Sequence, residues 1–381
     1  MRYMIQYLEP GPHLDQVSPR QVAQRLHAFL SALPIEGVLL GWDLPTALVE
    51  ACAQEAQKAG TALYLWHPLL TAQGAPPQWP SWRAIGPTGQ PVPAYRNLPE
   101  FTFLCPNHPE AREFAMARLR KASQEGPFAG VFLDRIRWPS PSEGWRSHMA
   151  CFCPFCRRVA AQKGVDLAAV QQALCKNPLT TALTAMYEKD GPLGAWARWR
   201  EEVISAFVRE AAEALRSERK CVGLDAWSPA LAPLVGQALE ALSPWADWVK
   251  VMTYRHTWGP AGLPYEVAHL AWQMAAEEGE EKALGTLGNL LGLPLPQGLS
   301  AFPQGFPPQV LALEGQRACA LVKQTPLWVG LDFVEIPGVC HADEPDIHAS
   351  LRALHGVHLA GVILSWDGWH IPLKRLAWLK G

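Results

Sequence analysis

Residues 130–139 read Gly-Val-Phe-Leu-Asp-Arg-Ile-Arg-Trp-Pro, and this stretch decides how the rest of the chain is interpreted. Its first four residues form a short apolar run, which is typical of a strand buried on both faces of a parallel sheet. Asp134 and two arginines follow at once, so charged side chains are expected where the strand ends. Polar residues at the carboxyl end of a buried parallel strand are typical of α/β barrel enzymes.

Seven further apolar runs have the same character, and each is followed by a polar or aromatic residue. They cover residues 3–7, 37–41, 62–66, 221–224, 248–252, 327–331 and 361–365. Amphipathic stretches predicted to be helical lie between them, among them residues 19–33, 45–58, 109–124, 195–217 and 265–278. Eight alternations of strand and helix predict the α/β class and a single (β/α)₈ TIM barrel over residues 1–381. A doubly wound open sheet would carry a Gly-rich phosphate turn after its first strand, and residues 9–12 do not form one.

Two connections are too long for simple loops of a barrel. Residues 67–104 follow the third strand and residues 138–193 follow the fourth, so both insertions are expected on the C-terminal face. The Trp- and Pro-rich segment 76–82 within the first insertion is interpreted as a stiff lid or as a sugar subsite. A third irregular stretch, residues 287–308, is expected to be a loop between the sixth and seventh units.

Composition excludes several classes of partner. The 381 residues carry a formal net charge of −2, and the sequence pI is about 6.6, so nucleic acid and anionic membranes are not expected as partners.

The first residues lack the pattern of a secretory signal, and no apolar run is long enough to span a membrane, so a cytoplasmic protein is expected. Nine cysteines, an odd number, argue against a disulfide scaffold. No organic cofactor is expected, and aromatic residues near one mouth are equally compatible with the interface of a homo-oligomer.

The residues at the strand ends predict a carbohydrate site. Asp134, Asp225 and Asp332 are the candidate catalytic carboxylates, because glycoside cleavage usually needs two carboxyl groups. Asp134 is the central candidate, since the arginines that follow it are expected to orient its carboxylate. Its partner is Asp225 or Asp332. The candidate substrate-binding residues are Trp42, Trp66, His67, Arg137, Trp227, Tyr254, Arg255, His256, Glu335, Trp366 and Asp367, a mixture of aromatic and hydrogen-bonding side chains that suits sugars.

A cysteine cluster predicts a metal site. Cys151, Cys153 and Cys156 lie within six residues, and the Cys-x-x-Cys part has the spacing of a zinc knuckle. Cys105 is the expected fourth ligand, with His148 as the alternative. Four ligands without an open position would make the site a structural Zn²⁺ site that holds the two insertions together. The other interpretation is a set of free or redox-active thiols.

These cysteines carry a resemblance to a known family. A Cys-Pro-Asn segment before a helix, a fourth strand and then Cys-x-Cys-x-x-Cys is similar to the zinc-bearing β-galactosidases of glycoside hydrolase family forty-two, chiefly over residues 101–160. The resemblance implies that Cys105, Cys151, Cys153 and Cys156 bind zinc. That family has Asn-Glu at the end of strand four, where this chain has Leu133-Asp134, so β-galactosidase activity is not implied.

Residues 130–139, together with Met252-Thr253-Tyr254, also resemble a set of uncharacterised glycosidase-like barrels. That resemblance implies that Asp134 lies in the active site and that Asp332 lies near the position of the usual strand-seven nucleophile. The expected function is therefore a glycoside hydrolase or transglycosylase acting on an oligosaccharide or polysaccharide.

Two other functions compete with this one. The missing strand-four glutamate favours a carbohydrate-binding barrel derived from a glycosidase that no longer catalyses. A metal-dependent hydrolase of another class is the remaining alternative, with ligands drawn from His67, His256, His341, His370 and several aspartates.

Overall fold

A computed structural model describes residues 1–76 and 79–380, and it contains a closed barrel of eight parallel strands in sequence order. The fold predicted from the sequence is therefore confirmed. The strands are β1 (Tyr3–Tyr7), β2 (Ile35–Leu40), β3 (Ala62–Pro68), β4 (Gly130–Asp134), β5 (Cys221–Trp227), β6 (Trp248–Met252), β7 (Leu327–Asp332) and β8 (Gly361–Ser365).

Four strands extend further than the apolar runs predicted. β3 reaches Pro68, β4 reaches Asp134, β5 reaches Trp227 and β7 reaches Asp332. Backbone pairing continues past the last apolar residue, as where Pro68 pairs with Asp134 and Trp227 pairs with Met252. The polar residues expected just beyond the strands thus belong to the strands, which gives their side chains a defined direction.

Helices surround the barrel, and thirteen α-helices lie in the described part of the chain. They are α1 (Pro19–Ala32), α2 (Thr46–Lys58), α3 (Pro109–Gln124), α4 (Trp145–His148), α5 (Pro154–Gln162), α6 (Leu167–Lys176), α7 (Leu179–Tyr187), α8 (Gly191–Ser217), α9 (Leu239–Leu242), α10 (Leu263–Glu278), α11 (Glu280–Leu291), α12 (Gln309–Val322) and α13 (Glu344–Ala353). None of these helices combines the length and apolarity needed to cross a lipid bilayer.

Local sequence explains where several helices begin. The Ser18 side chain accepts a hydrogen bond from the Gln21 backbone N–H, and the Ser18 backbone N–H donates to the Gln21 side chain, which forms a capping box at the start of α1. Asp166 caps α6 by accepting from the backbone N–H groups of Ala168 and Ala169. The stretch 287–308, expected to be irregular, is helical at its start because α11 continues to Leu291, and it also contains a short 3₁₀ turn, Leu299–Gln304.

The long connections that follow β3 and β4 contain short elements of their own. The first contains the 3₁₀ turns Trp79–Trp82, Tyr95–Asn97 and Pro99–Phe101, while the second contains α4 to α7. Trp82 is buried, and its indole N–H donates to Glu110 at 2.7 Å, so it packs against the start of α3. Pro77, which the sequence analysis placed in the same Trp- and Pro-rich segment, lies outside the described residues.

Alternate strand residues fill the interior of the barrel. Met4, Leu39, Phe132, Trp248, Trp328 and Ile363 belong to a buried cluster separate from the core between sheet and helices. Phe132 and Trp248 stack with ring centroids 5.1 Å apart. The Trp248 ring leaves no room opposite it, because a Cβ at Gly223 would lie 2.2 Å from its Cζ2 atom. Glycine at position 223 is therefore a packing requirement of the interior.

We expect Gly223→Ala to destabilise the protein by about 2 kcal/mol, since an extra methyl group in a filled core forces its neighbours out of place. Urea unfolding followed by circular dichroism would measure this change. The matched control is Gly285→Ala in α11, where a Cβ meets no atom within 4 Å. The control is expected to stabilise by about 0.5 kcal/mol, because alanine is the better helix former. Equal effects of the two changes would contradict this account of the interior.

Candidate active site

A cavity of about 570 Å³ opens at the strand-end mouth of the barrel, a volume in the usual range for small-molecule sites. Seven of the residues predicted from the sequence line it, namely Trp42, Trp66, Asp134, Arg137, Asp225, Tyr254 and Trp366. Gln6, Glu9 and Arg135 also line it, as do Tyr95 and Phe101 from the first insertion. The cavity thus combines carboxyl groups, arginines and aromatic rings in one place.

Asp134 ends β4 and accepts hydrogen bonds from two residues, Trp66 and Arg135, and the Arg135 backbone N–H donates to its Oδ1 atom. The Trp66 indole N–H donates to its Oδ2 atom at 2.9 Å, and Arg135 Nη1 donates to the same oxygen at 2.8 Å. Of the two arginines expected to orient this carboxylate, Arg135 does so, whereas Arg137 donates to the Trp138 carbonyl. Asp134 is therefore a fixed acceptor at the wall of the cavity.

Arg135 connects several groups of the site. Its guanidinium lies over the rings of Trp42, at 5.1 Å, and Phe101, at 4.7 Å, and it approaches Glu9 Oε1 at 3.7 Å. Its backbone has a φ of 52°, in the left-handed region that costs about 1 kcal/mol or more for a residue with a side chain. Leu8 and Asp43, which follow β1 and β2, have φ values of 59° and 51°. Left-handed residues thus occur directly after β1 and β4, and three residues beyond the end of β2.

Asp225 on β5 is paired with a buried lysine. Lys250 on β6 is fully buried, and its Nζ donates to Asp225 Oδ2 at 3.1 Å, to Gln6 Oε1 at 2.7 Å and to the Tyr254 hydroxyl at 2.6 Å. Room for this lysine comes from Gly330 on β7, where a Cβ would lie 2.9 Å from the Lys250 Cε atom. Asp225 Oδ1 is buried and has no hydrogen-bond partner among the described residues.

Asp134 and Asp225 occupy matching positions on neighbouring strands. Leu133 pairs with Leu224, and the two aspartates are the next residues on β4 and β5. Parallel strands lie about 4.8 Å apart, and residues in register point to the same side. Both carboxyl groups therefore face the interior of the mouth side by side.

Burial raises the pKa values of two carboxyl groups of the cavity above their usual range. It raises the pKa of Asp225 to about 7, although the neighbouring Lys250 acts in the opposite direction. It also raises the pKa of Glu9 to about 7, against the effect of Arg135, although the Glu9 side chain is still 26% exposed. Near neutral pH, both groups can hold or release a proton, which is what general acid–base chemistry requires.

Trp227 was predicted to stack on a ligand, but it is buried and does not line the cavity. Its ring instead supports the Arg137 guanidinium, which lies 4.8 Å from the Trp227 centroid and 4.5 Å from that of Phe103. Arg137 lines the cavity between these rings. Trp227 thus contacts a residue of the cavity wall.

Asp332 lies outside the cavity lining. It accepts hydrogen bonds from the backbone N–H groups of Arg255 and His256, at 2.7 and 3.1 Å, and from the Thr257 hydroxyl. These bonds fix the loop that follows β6. Arg255 itself donates to the Phe306 carbonyl and to Ser350 and Asp346, so its side chain is directed away from the mouth.

The remaining predicted binding residues also lie outside the cavity lining. Glu335 accepts from Arg375 and from His341, Asp367 is buried and accepts from the Leu8 and Trp369 backbone N–H groups, and His67 is buried beside β4. Burial and the nearby Arg118 hold the pKa of His67 well below its usual value. The four histidines considered for a metal-dependent hydrolase, His67, His256, His341 and His370, do not form one ligand group within the described residues.

Sequence reasoning assigned no role to Lys250, Glu9 or Gln6. A signal for Lys250 was present, because a lysine inside the apolar run Trp248–Met252 is expected to be buried and therefore paired. Glu9 and Gln6 follow the same strand-end logic as the aspartates. They were passed over because a carboxyl or amide group at one strand end does not reveal its own neighbours.

The four predicted cysteines are buried together. The Cys105 sulfur lies 3.5 Å from that of Cys153 and 3.4 Å from that of Cys156, and all four sulfurs lie within 4.8 Å of one another. These separations exceed a disulfide bond of about 2.05 Å, and they approach the edge of about 3.8 Å that four sulfurs have around a zinc ion at 2.3 Å. Backbone N–H groups of Ile85 and Cys156 donate to the Cys151 and Cys153 sulfurs. The donor set fits a tetrahedral metal.

His148, the alternative ligand, is not part of this group. Its ring contacts the Ser147 hydroxyl at 2.9 Å and the Gly144 carbonyl at 3.0 Å. The structure thus favours four sulfur ligands over three sulfurs and one nitrogen.

Comparison with solved structures gives the relatives of this fold. The chain matches the PgaB (BpsB) glycoside hydrolase domain from Bordetella bronchiseptica with a TM-score of 0.59 and 14% identity, over 97% of this chain and 94% of that one. It matches the catalytic domain of β-amylase from Paenibacillus polymyxa with a TM-score of 0.56 and 10% identity, over 99% and 97% of the two chains. It also matches a β-galactosidase from the psychrophilic Marinomonas ef1 with a TM-score of 0.58 and 13% identity. That match covers 100% of this chain and 58% of the β-galactosidase.

No protein-family model matches the sequence, and no curated protein matches it. The expected resemblance to glycoside-hydrolase barrels with a four-cysteine cluster is confirmed, since the structural neighbours are glycoside hydrolases and the four cysteines lie together. At these identities the comparison establishes the shared fold.

Proposed function

We propose that the protein is a glycoside hydrolase that cleaves a glycosidic bond of an oligosaccharide or polysaccharide. The observation that carries the proposal is the pair of carboxyl groups, Asp134 and Asp225, on neighbouring strands of an aromatic-lined cavity. Paired carboxyl groups are what glycoside hydrolysis usually needs, and the fold is one that glycoside hydrolases use.

Asp225 is the general acid in this proposal. Its pKa of about 7 keeps part of it protonated near neutral pH, and its Oδ1 atom is free of protein partners. The proton moves from Asp225 to the glycosidic oxygen as the bond from that oxygen to the anomeric carbon breaks. The departing sugar leaves as an alcohol, and the water that completes hydrolysis returns a proton to Asp225. Lys250 keeps the carboxyl in position through Oδ2.

Asp134 is the second carboxyl group. As a carboxylate it faces the positive charge that develops at the anomeric carbon, and its contacts with Trp66 and Arg135 prevent it from turning away. Preorganised groups of this kind stabilise a transition state because they need no rearrangement during the reaction. Asp332, the other candidate partner, supports the loop after β6 in this proposal.

Aromatic side chains form the sugar-binding surface. Trp42 and Trp66 meet edge to face, with centroids 5.1 Å apart, and Trp366 is fixed by a hydrogen bond from its indole N–H to Glu9 at 3.0 Å. Flat rings of this kind stack on the apolar faces of sugars, while Glu9, Arg137 and Tyr254 are available for hydroxyl groups. The ligand is therefore a carbohydrate.

We also propose that Cys105, Cys151, Cys153 and Cys156 bind a structural Zn²⁺ ion. The metal would join the first insertion, through Cys105, to the start of α5, through Cys153 and Cys156. Four sulfur ligands leave no open position, so the ion would stabilise the fold and take no part in the reaction.

Asp134→Asn is expected to lower turnover of the substrate by about a thousandfold, because a carboxylate is replaced by a neutral amide of the same shape. A panel of glycosides and polysaccharides, with release of reducing ends as the readout, would measure this loss. Asp166→Asn is the matched control, since asparagine caps a helix as well as aspartate does. Full activity in Asp134→Asn would contradict the proposal. Saccharide binding without turnover by the wild type would favour the non-catalytic binding barrel.

The pH dependence of kcat/KM identifies the acid. Because burial raises the pKa of Asp225 to about 7, its proton is present below that pH and is lost above it. We expect kcat/KM to fall about tenfold per pH unit above pH 7. Glu9→Gln is the discriminating control, because the pKa of Glu9 is also raised to about 7. The fall in kcat/KM above pH 7 should persist in Glu9→Gln and be absent in Asp225→Asn. The reverse result would make Glu9 the acid.

Removal of zinc is expected to lower the Tm, since a metal that binds only the folded state contributes its binding free energy to stability. Differential scanning calorimetry before and after treatment with a strong chelator would measure the shift, and added Zn²⁺ should restore it. Cys156→Ser should lose the tightly held zinc, whereas Cys175→Ser, which changes an exposed cysteine, should retain it. Equal zinc content in the two variants would contradict the assignment.

A further inference from the structure

A second group of metal-type ligands lies at the seam where the barrel closes. His13 belongs to the 3₁₀ turn after β1 (Pro12–Gln16), while Asp367 and His370 follow β8. Because β1 pairs with β8, these two connections meet at the same edge of the mouth. One ligand atom from each of the three residues can be chosen so that all lie within 4.8 Å of one another. None of the three lines the cavity or contributes to the cysteine cluster.

The polar atoms of this group are incompletely satisfied. Asp367 is fully buried, and its Oδ1 atom accepts from the backbone N–H groups of Leu8 and Trp369 at 2.8 and 2.9 Å. Its Oδ2 atom is buried without a hydrogen-bond partner in the part of the chain that the structure describes, and so is His13 Nε2. An unsatisfied buried polar atom costs about 1–3 kcal/mol, so two of them within one group of potential ligands favour a ligand that both can bind.

The three groups already face one another. His370 Nε2 lies 3.9 Å from Asp367 Oδ2, and the His13 and His370 rings meet edge to face with centroids 5.3 Å apart. Two donors bound to a tetrahedral ion at about 2.0–2.1 Å are separated by about 3.4 Å. A small movement of the His370 side chain, which is 39% exposed, is enough to close this gap.

We propose that His13, Asp367 and His370 bind a divalent cation of the zinc type, at a site separate from the four cysteines. Two imidazole nitrogens and one carboxylate oxygen suit Zn²⁺, Co²⁺ or Ni²⁺, and three protein ligands leave a position for water. Pro12 precedes His13 and Trp366 precedes Asp367, and both flanking residues line the cavity. The ion therefore fixes the edge of the cavity between the first and last strands.

The positive charge of Arg25 is expected to weaken the affinity of this site for a cation. Arg25 donates to the carbonyls of Gly368 and Ile371, and its guanidinium lies 5.3 Å from the Trp369 ring centroid. Its contacts hold the turn that carries Asp367 and His370, but its charge repels a bound cation. We therefore expect binding in the micromolar range, weaker than at the four cysteine sulfurs. This difference allows the two sites to be titrated separately.

The test is a calorimetric titration with Zn²⁺ of protein that has first been loaded with zinc and desalted, so that the cysteine site is filled. The wild type should bind one further ion. Asp367→Asn and His370→Ala should each weaken that binding by at least about tenfold, since even outer contacts of a metal site change affinity by that much. Asparagine retains an oxygen that can accept from Leu8 and Trp369, so Asp367→Asn is expected to fold, and its Tm checks this.

His341→Ala is the matched control, because His341 is an exposed histidine that pairs with Glu335 and lies outside the group. It should bind the further ion as the wild type does. Three results would overturn the proposal: no further ion in the wild type, unchanged affinity in both Asp367→Asn and His370→Ala, or an equal loss in His341→Ala. The readout is metal binding, so it is independent of whether the protein cleaves glycosides.

Discussion

The burial of Lys250 inside the barrel is the constraint on which the rest of the site depends. An ammonium group without solvent costs several kcal/mol, so its neighbours must supply charge and acceptors. Asp225 at 3.1 Å contributes an attraction on the order of 5 kcal/mol at an effective dielectric constant of about 20, and Gln6 and Tyr254 accept the remaining hydrogen bonds. Because Asp225 is itself deeply buried, this attraction does not restore an ordinary pKa. The burial of Asp225 itself, which opposes the effect of Lys250, thus leaves a proton donor near neutral pH.

Much of the architecture was predictable from the sequence, because a parallel barrel repeats one local pattern eight times. Each apolar run had to be a strand buried on both faces, and strand ends in a closed parallel barrel share one mouth, which is why Asp134, Asp225 and Trp66 meet. The cysteine cluster was equally predictable from the sequence, since thiols three residues apart can bind the same metal ion. Periodicity and short spacings are the information that a single sequence carries well.

The remainder depended on long-range contacts that no local pattern encodes. Asp332 and Asp225 both occur at the end of a strand, yet one binds the backbone of a neighbouring loop and the other faces the cavity. Arg135 and Arg137 are two residues apart, and only the former reaches Asp134, whereas Arg137 lies over the rings of Phe103 and Trp227. Two partners of Lys250, Gln6 on β1 and Asp225 on β5, are distant from it in sequence. A polar residue type at a strand end indicates that the side chain lies near the mouth of the barrel. Its role depends on which residues it contacts there.

The left-handed residues at the mouth have an evolutionary consequence. At Leu8, Asp43 and Arg135, glycine would relieve a conformational cost of about 1 kcal/mol each, so a search for thermostable variants would be drawn to these positions. At position 135, however, glycine would remove the guanidinium that lies between Trp42 and Phe101. Selection for a less strained backbone and selection for the guanidinium contacts of the cavity therefore act in opposite directions on Arg135. A homologue that carries glycine there would have a less strained backbone and an altered, less positively charged pocket.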